Sequence, residues 1–162
     1  MKVYLASSIS QSYEKEYTKG LAKKLEDMGF KVYAAACNDK INDKSNNPTP
    51  LEIYEEDIRQ LASSRILLVN LTGSMQDGTI SEVGWVSGYN TMCESILDHV
   101  FIVGYTTNTR LLEPQIHRGV PSASANHLVF GMIEKWGIWA GSETNMLDLM
   151  EEVIYYEKQK EA

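Results

Sequence analysis

The chain has 162 residues, a length that suits one domain and supports a hydrophobic core without disulfide or metal staples. Fifteen basic against 22 acidic residues give a net charge of −7, which excludes a nucleic-acid backbone or an anionic membrane as the main partner, because both need clustered Lys and Arg. An apolar share of 43% and a charged share of 23% exclude disordered, collagen-like and coiled-coil classes, and no apolar run approaches the roughly 18 residues of a membrane span.

The first predicted element is a strand over Lys2–Ala6, too short an apolar stretch for a signal peptide, closed by the small-residue turn Ser7-Ser8-Ile9-Ser10. From Ser12 to Met28 the apolar positions Tyr13, Tyr17, Leu21, Leu25 and Met28 recur at helical spacing, and Gly29 supplies the stop. Residues 31–36 read as a second strand and residues 38–50 as a mobile polar surface loop. Thr49-Pro50-Leu51-Glu52 then predicts a helix start, with Thr49 as N-cap, Pro50 at N1 and Glu52 closing a capping box. That helix runs to about Ser64 and delivers residues 66–71, a nearly continuous apolar strand of the kind buried on both faces of a parallel sheet.

Residues 72–78 form a turn-rich loop, and Thr79 opens a helix to about Met92. Residues 99–105 are the next central strand, residues 106–124 are irregular, and a short helix over 126–135 leads to a brief edge strand over 137–140. Ser142 caps a last helix whose one face carries Met146, Leu149, Met150 and Val153. Five strands alternating with helices predict an α/β protein with a mostly parallel sheet, helices on both faces and right-handed crossovers. No internal repeat or linker interrupts residues 1–162, which are expected to form a single domain. Ligands of such sheets bind at the carboxyl ends of the strands, which groups residues 6–10, 72–79 and the stretch after Tyr105.

Cys37 and Cys93 lack any CxxC setting and read as reduced thiols of a cytoplasmic protein; His99, His117 and His127 lack metal spacing, so no metal site is predicted. GxGxxG, GxxxxGK[ST] and GxSxG are absent, which speaks against dinucleotide-binding, P-loop and nucleophile-elbow classes. Trp85, Trp136 and Trp139 read as core or interface residues rather than stacking platforms.

Chemistry is concentrated in residues 71–84, where Gly73 and Gly78 permit close backbone approach, Asp77 lies at the rim of the crevice, and Glu82 falls within the following helix. On spacing alone, Thr79-x-x-Glu82 is first of all a capping box. Glu55-Glu56-Asp57 reads mainly as a solvated helix face. Asp57 differs in lying four residues after Ile53, at the edge of the apolar stripe Ile53, Ile58 and Leu61, where a carboxylate needs a partner or a purpose. The hydroxyls of Ser7, Ser8 and Ser10 either cap the next helix or hold a phosphate or sugar hydroxyl.

Taken together, Tyr4-Leu5-Ala6-Ser7, a helix carrying Asp57, Asn70-Leu71, Asp77-Gly78-Thr79-x-x-Glu82-x-Gly84 and Ala125-Asn126-His127-Leu128 resemble, in this order, the nucleoside 2-deoxyribosyltransferase family over most of the chain. The resemblance implies a flavodoxin-like, Rossmann-like three-layer sandwich, no cofactor, and a homo-oligomer whose subunits complete each other's sites. It implies a catalytic set of Glu82 as nucleophile, Tyr4 bonded to that carboxylate, and Asp57 beside the substrate. Substrate contacts are implied for Ala6, Ser7, Ser8, Gln76, Asp77, Gly78 and Thr79, and for Asn126 lent by a neighbouring subunit to the sugar 5′-hydroxyl.

The partners so implied are a deoxynucleoside and a free nucleobase. Gln76 stands where the family often has an acidic residue, Ser64-Arg65 replaces its usual Ser-Asp, Trp85-Val86 replaces less bulky residues after the nucleophile, and the Ser7–Ser10 turn lacks an aromatic found in some members. Two other readings stand beside transfer: a nucleoside 5′-monophosphate N-glycosidase, whose phosphate the serines would hold, and a non-catalytic nucleotide-binding module in which Glu82 is only a cap.

Overall fold

In the computed structural model, which describes residues 1–39, 44–72, 76–112, 115–117, 120–122 and 126–161, strand and helix alternate from the first residues onward. β1 (Lys2–Ala6) leads to α1 (Ser12–Met28), β2 (Lys31–Ala34), α2 (Pro50–Ala62), β3 (Ile66–Asn70), α3 (Asp77–Met92) and β4 (Phe101–Thr106). The single turn α4 (Thr109–Leu112) and the strands β5 (Gln115–His117) and β6 (Val120–Ser122) follow, then α5 (His127–Trp136), β7 (Gly137–Ser142) and α6 (Glu143–Glu161). Five strands make one sheet in the order β2-β1-β3-β4-β7, parallel throughout rather than mostly so, while β5 and β6 pair antiparallel apart from it. This is the flavodoxin-like arrangement, in which the direction of winding reverses between β1 and β3.

Local chemistry explains the element boundaries. α1 ends because Gly29 takes up φ 111°, a left-handed conformation that only glycine adopts without strain, and its N–H returns to the Glu26 carbonyl at 2.9 Å. α2 starts as predicted: Thr49 Oγ1 accepts from the Glu52 N–H and the Glu52 carboxylate accepts from the Thr49 N–H. β7 reaches β4 because Gly137 lacks a side chain; a Cβ there would collide with the Ile102 backbone.

Alternation along β1 sorts the two cores. Val3 and Leu5 face α1 and α6 with Leu21, Leu25, Met146 and Met150, whereas Tyr4 and Ala6 face the opposite layer with Leu61, Val83, Val86 and Ile133. β3 is buried at every position, as its continuous apolar run predicts.

The departures from the predicted elements lie at boundaries and in the stretch read as irregular. β2 stops at Ala34, where a 3-10 turn over Ala35–Cys37 begins, and β4 begins at Phe101 rather than at residue 99. Residues 106–124 contain α4, β5 and β6, and β7 runs on to Ser142. The loop over 38–50 includes a 3-10 turn at Lys44–Asn46; the mobility predicted for it, and Gly73, lie in part or wholly outside the described residues. No described helix is long and apolar enough to cross a membrane.

Candidate functional site

Register brings the site together. Tyr4 on β1 pairs with Tyr33 on β2, so both phenols leave the same face of the sheet, with ring centroids 5.1 Å apart. α2 and α3 cover that face and each lowers one carboxylate onto it. In α2 the three consecutive acids part company: Glu55 is exposed, Glu56 holds Arg59 at 2.7 Å, and Asp57 turns inward to accept the Tyr33 hydroxyl at 2.8 Å. In α3 the half-buried Glu82 accepts the Tyr4 hydroxyl at 2.5 Å. Tyr4 is wholly buried and feels the Asp57 charge as well as that of the Glu82 carboxylate it donates to. Asn38 Nδ2 donates to the Tyr33 oxygen at 3.2 Å and completes the line.

Helix α3 corrects the capping-box reading. It begins at Asp77, two residues before Thr79, with Gln76 as the N-cap; Thr79 therefore occupies N3, and Glu82 lies a turn further in, where no free N–H remains to be capped. The carboxylate is thus free of capping duty and is oriented by Tyr4.

Electrostatics follow from this enclosure. Burial pushes the Glu82 carboxyl up to about 7, helped by the Asp57 charge and opposed by the Tyr4 hydrogen bond. Asp57 is also raised, first by burial and then by the Glu56 charge, while its bonds from Tyr33 and Tyr4 act downward. Tyr4, buried beside Glu82 and Asp57, is held far above the ordinary phenol range and remains a donor. Burial thus raises the proton affinity of both carboxyls, a property suited to acid–base work.

The crevice at the carboxyl ends of β1 and β3 has two lobes that share Ser7 and Ser8. One, of about 210 Å³, lies against Asp77, Gly78 and Thr79; the other, of about 190 Å³, lies against Tyr13, Glu14, Tyr17 and Asn70. Ser7, Ser8, Asp77, Gly78 and Thr79 thus line the crevice, while Ala6 is buried at its floor and Gln76 stands beside it at the head of α3. The Ser8 hydroxyl, however, points away from any ligand: it donates to Glu14 Oε2 at 2.7 Å, alongside Ser10 Oγ at 2.8 Å and the Gln11 N–H at 2.9 Å. At the wall of that second lobe, Asn70 and Thr72, with Thr106, form a hydroxyl–amide network that ties the end of β3 to the end of β4.

Asn126 stands apart. It is exposed and N-caps α5, its Oδ1 accepting the Leu128 N–H at 2.9 Å, and no hydrogen bond joins it to Tyr4, Asp57 or Glu82; Ala125 lies outside the described residues. The tryptophans pack as predicted: Trp85 stacks on Tyr89, Trp136 donates to Ser87 Oγ at 3.1 Å, and Trp139 meets Phe130 edge-on. A further cleft of about 780 Å³ runs beside β2 and is lined in part by Tyr33 and Asn38. Among the described residues no group of His, Cys, Asp or Glu is arranged to hold a metal.

Sequence reasoning missed Tyr33, Asn38 and Glu14. Tyr33 was findable, since pairing β1 with β2 in phase puts the two tyrosines on one face; Glu14 was obscured because its partner at the helix start is Gln11 rather than a Ser or Thr.

A parallel α/β sheet with two carboxylates, each held by a tyrosine of the neighbouring strands beside the winding reversal, defines the class: a flavodoxin-like protein with an acidic candidate site. A sequence profile described as Nucleoside 2-deoxyribosyltransferase matches residues 3–150, and the chain belongs to the nucleoside 2-deoxyribosyltransferase family. It is also similar to the crystal structure of a conserved protein from Enterococcus faecalis V583, with 21% identity and a TM-score of 0.75 over 94% of this chain and 98% of that one, a likeness of fold. Comparison with curated proteins finds no match.

Proposed function

We propose that the protein moves 2-deoxyribose between nucleobases through a covalent deoxyribosyl–Glu82 intermediate. The observation that carries this reading is the Glu82–Tyr4–Asp57 constellation, in which the family's nucleophile position is free of capping duty and held by a phenol. A Glu82 carboxylate oxygen attacks C1′ of the nucleoside as the C1′–N bond breaks, and the oxocarbenium character that develops there is stabilised by the adjacent carboxylates. The base leaves with the bonding electron pair and takes up a proton, which Asp57, with its raised affinity for protons, is placed to provide. A ring nitrogen of a second base then attacks C1′, displaces the Glu82 oxygen and gives up its proton. Two inversions amount to retention.

Chromatography of thymidine or deoxyadenosine incubated with a different free base tests this directly. A new deoxynucleoside that is absent with Glu82→Gln supports transfer; release of free base and sugar phosphate from 5′-monophosphates alone supports the hydrolase instead.

Two further outcomes follow. Asp57→Asn keeps a hydrogen-bonding group beside Tyr33 and Tyr4 but cannot yield a carboxylic proton; the transfer rate is expected to fall by about 10²–10⁴, the range typical of a lost general acid, yet less than for Glu82. An unchanged rate would remove Asp57 from the mechanism. If Asn126 serves a neighbouring subunit, as its exposure beside the 70%-exposed Leu128 fits, specific activity is expected to fall on dilution as the assembly dissociates. Full activity in a species that light scattering identifies as a monomer would refute the shared site.

A further inference from the structure

Resting on that reading of the crevice, we propose that Glu14 sets its substrate class: it commits the Ser8 and Ser10 hydroxyls and the Gln11 N–H to a buried carboxylate and thereby makes the site select nucleosides against nucleoside 5′-phosphates. Residues 7–10 followed by the start of α1 have the composition of an anion cradle, with serine hydroxyls and the free N–H groups of a helix N-terminus. In the folded protein this cradle is filled from within. Glu14 is only 7% exposed, and its Oε2 accepts Ser8 Oγ, Ser10 Oγ and the Gln11 N–H at 2.7, 2.8 and 2.9 Å. A phosphate dianion would need these same protons.

The surrounding charge acts in the same direction. Glu14 itself lines one lobe of the crevice and Asp77 lines the other, while Asp57 and Glu82 stand nearby at the junction of β1 with α2 and α3. Among the described residues lining the two lobes there is no Lys, Arg or His to offset them. A phosphate monoester carries a charge of about −1.5 to −2 near neutral pH, so its entry meets like charge without a counter-cation. A sugar hydroxyl or a neutral base meets no such opposition and finds acceptors in plenty. Ser8 and Ser10 are therefore loop-ordering residues, and Glu14 is the residue that orders them.

The experiment is calorimetric binding of thymidine, thymidine 5′-monophosphate and inorganic phosphate to the wild-type protein and to Glu14→Gln, with no added acceptor base. Glutamine keeps an acceptor oxygen for Ser8, Ser10 and Gln11 and still suits N3 of the capping box, but carries no charge. Wild type is expected to bind thymidine at least tenfold more tightly than the monophosphate and not to bind phosphate measurably. Glu14→Gln is expected to shrink that preference at least tenfold while leaving thymidine affinity near wild type. An unshrunk preference in the folded variant overturns the role of Glu14.

A measurement on the wild type alone keeps the inference exposed even if the variant does not fold. Repulsion is relieved by salt, whereas binding through phosphate contacts is weakened by it. The monophosphate's affinity is expected to rise relative to thymidine's between low and high sodium chloride; a relative fall overturns the proposal. Failure of thymidine and deoxyadenosine alike to bind the wild type overturns instead the nucleoside reading beneath it.

Discussion

Glu82→Gln is expected to abolish deoxyribosyl transfer, with a loss of at least about a thousandfold, equivalent to about 4 kcal/mol of transition-state stabilisation, while the protein remains folded. The amide cannot attack C1′, yet it accepts the Tyr4 hydroxyl as the carboxylate does. Stability is expected to respond in a direction that a surface acid would not show. The Glu82 carboxyl lies at about 7 in the folded protein against an ordinary 4.5, so folding binds a proton there. Its contribution is most favourable below about 4.5 and is lost as pH rises through about 7, because above that the buried group must be charged. Glutamine is free of this penalty. The variant should therefore melt higher than wild type at pH 8 and show little or no such advantage at pH 4. Thermal melts at the two pH values, run beside single-turnover assays, check both halves; an active variant sinks Glu82 as the nucleophile.

Tyr4→Phe is expected to displace the pH dependence of transfer rather than simply lower its ceiling. In wild type the rate should rise as Glu82 ionises, with its acid limb near 7, and fall again at higher pH as Asp57 loses the proton it supplies. The Tyr4 hydroxyl lowers the Glu82 carboxyl by donating to its ionised form, while the Asp57 charge raises it. Without it the two carboxylates face each other undamped, and the acid limb moves to higher pH. Each unit of that displacement costs about tenfold in ionised Glu82 below the limb, so the deficit at pH 6–7 is expected to be roughly tenfold to a hundredfold and to shrink as pH rises above the displaced limb. Tyr4 is fully buried and phenylalanine has nearly its shape, so the core around Leu61 and Val83 should survive the change. A profile that coincides with wild type would show that Tyr4 does not govern Glu82.

Much of the architecture was legible without coordinates because its signals are local. The 3.6-residue recurrence of Tyr17, Leu21 and Leu25, the Gly29 stop and the Thr49–Glu52 box each involve residues within a turn or two of one another, and α1 and the start of α2 fall where they predict. The nearly continuous apolar run over residues 66–71 announced a strand covered on both faces, and the strand–helix alternation announced the parallel sheet. Boundaries were less secure where small residues leave the choice open. Asp77 and Gly78 are as compatible with a loop as with a first helical turn, and the two-residue difference is what turns Glu82 from a cap into a site carboxylate.

The order of the elements, their caps and their buried faces were thus determined by the sequence itself, since each depends on neighbours along the chain. The tertiary structure alone decided which of three adjacent acids in α2 turns inward, which phenol receives it, and where the serine hydroxyls point. Tyr4 and Glu82 are 78 positions apart, and Tyr33 and Asp57 are 24 apart. Whether such groups meet depends on strand register and on the angle at which each helix crosses the sheet, and a chain's local periodicities do not encode a distance across two layers. Ser8 and Glu14 lie close in sequence, yet there too the turn at the end of β1 had to fold before a hydroxyl that reads as a ligand contact was committed to a buried carboxylate.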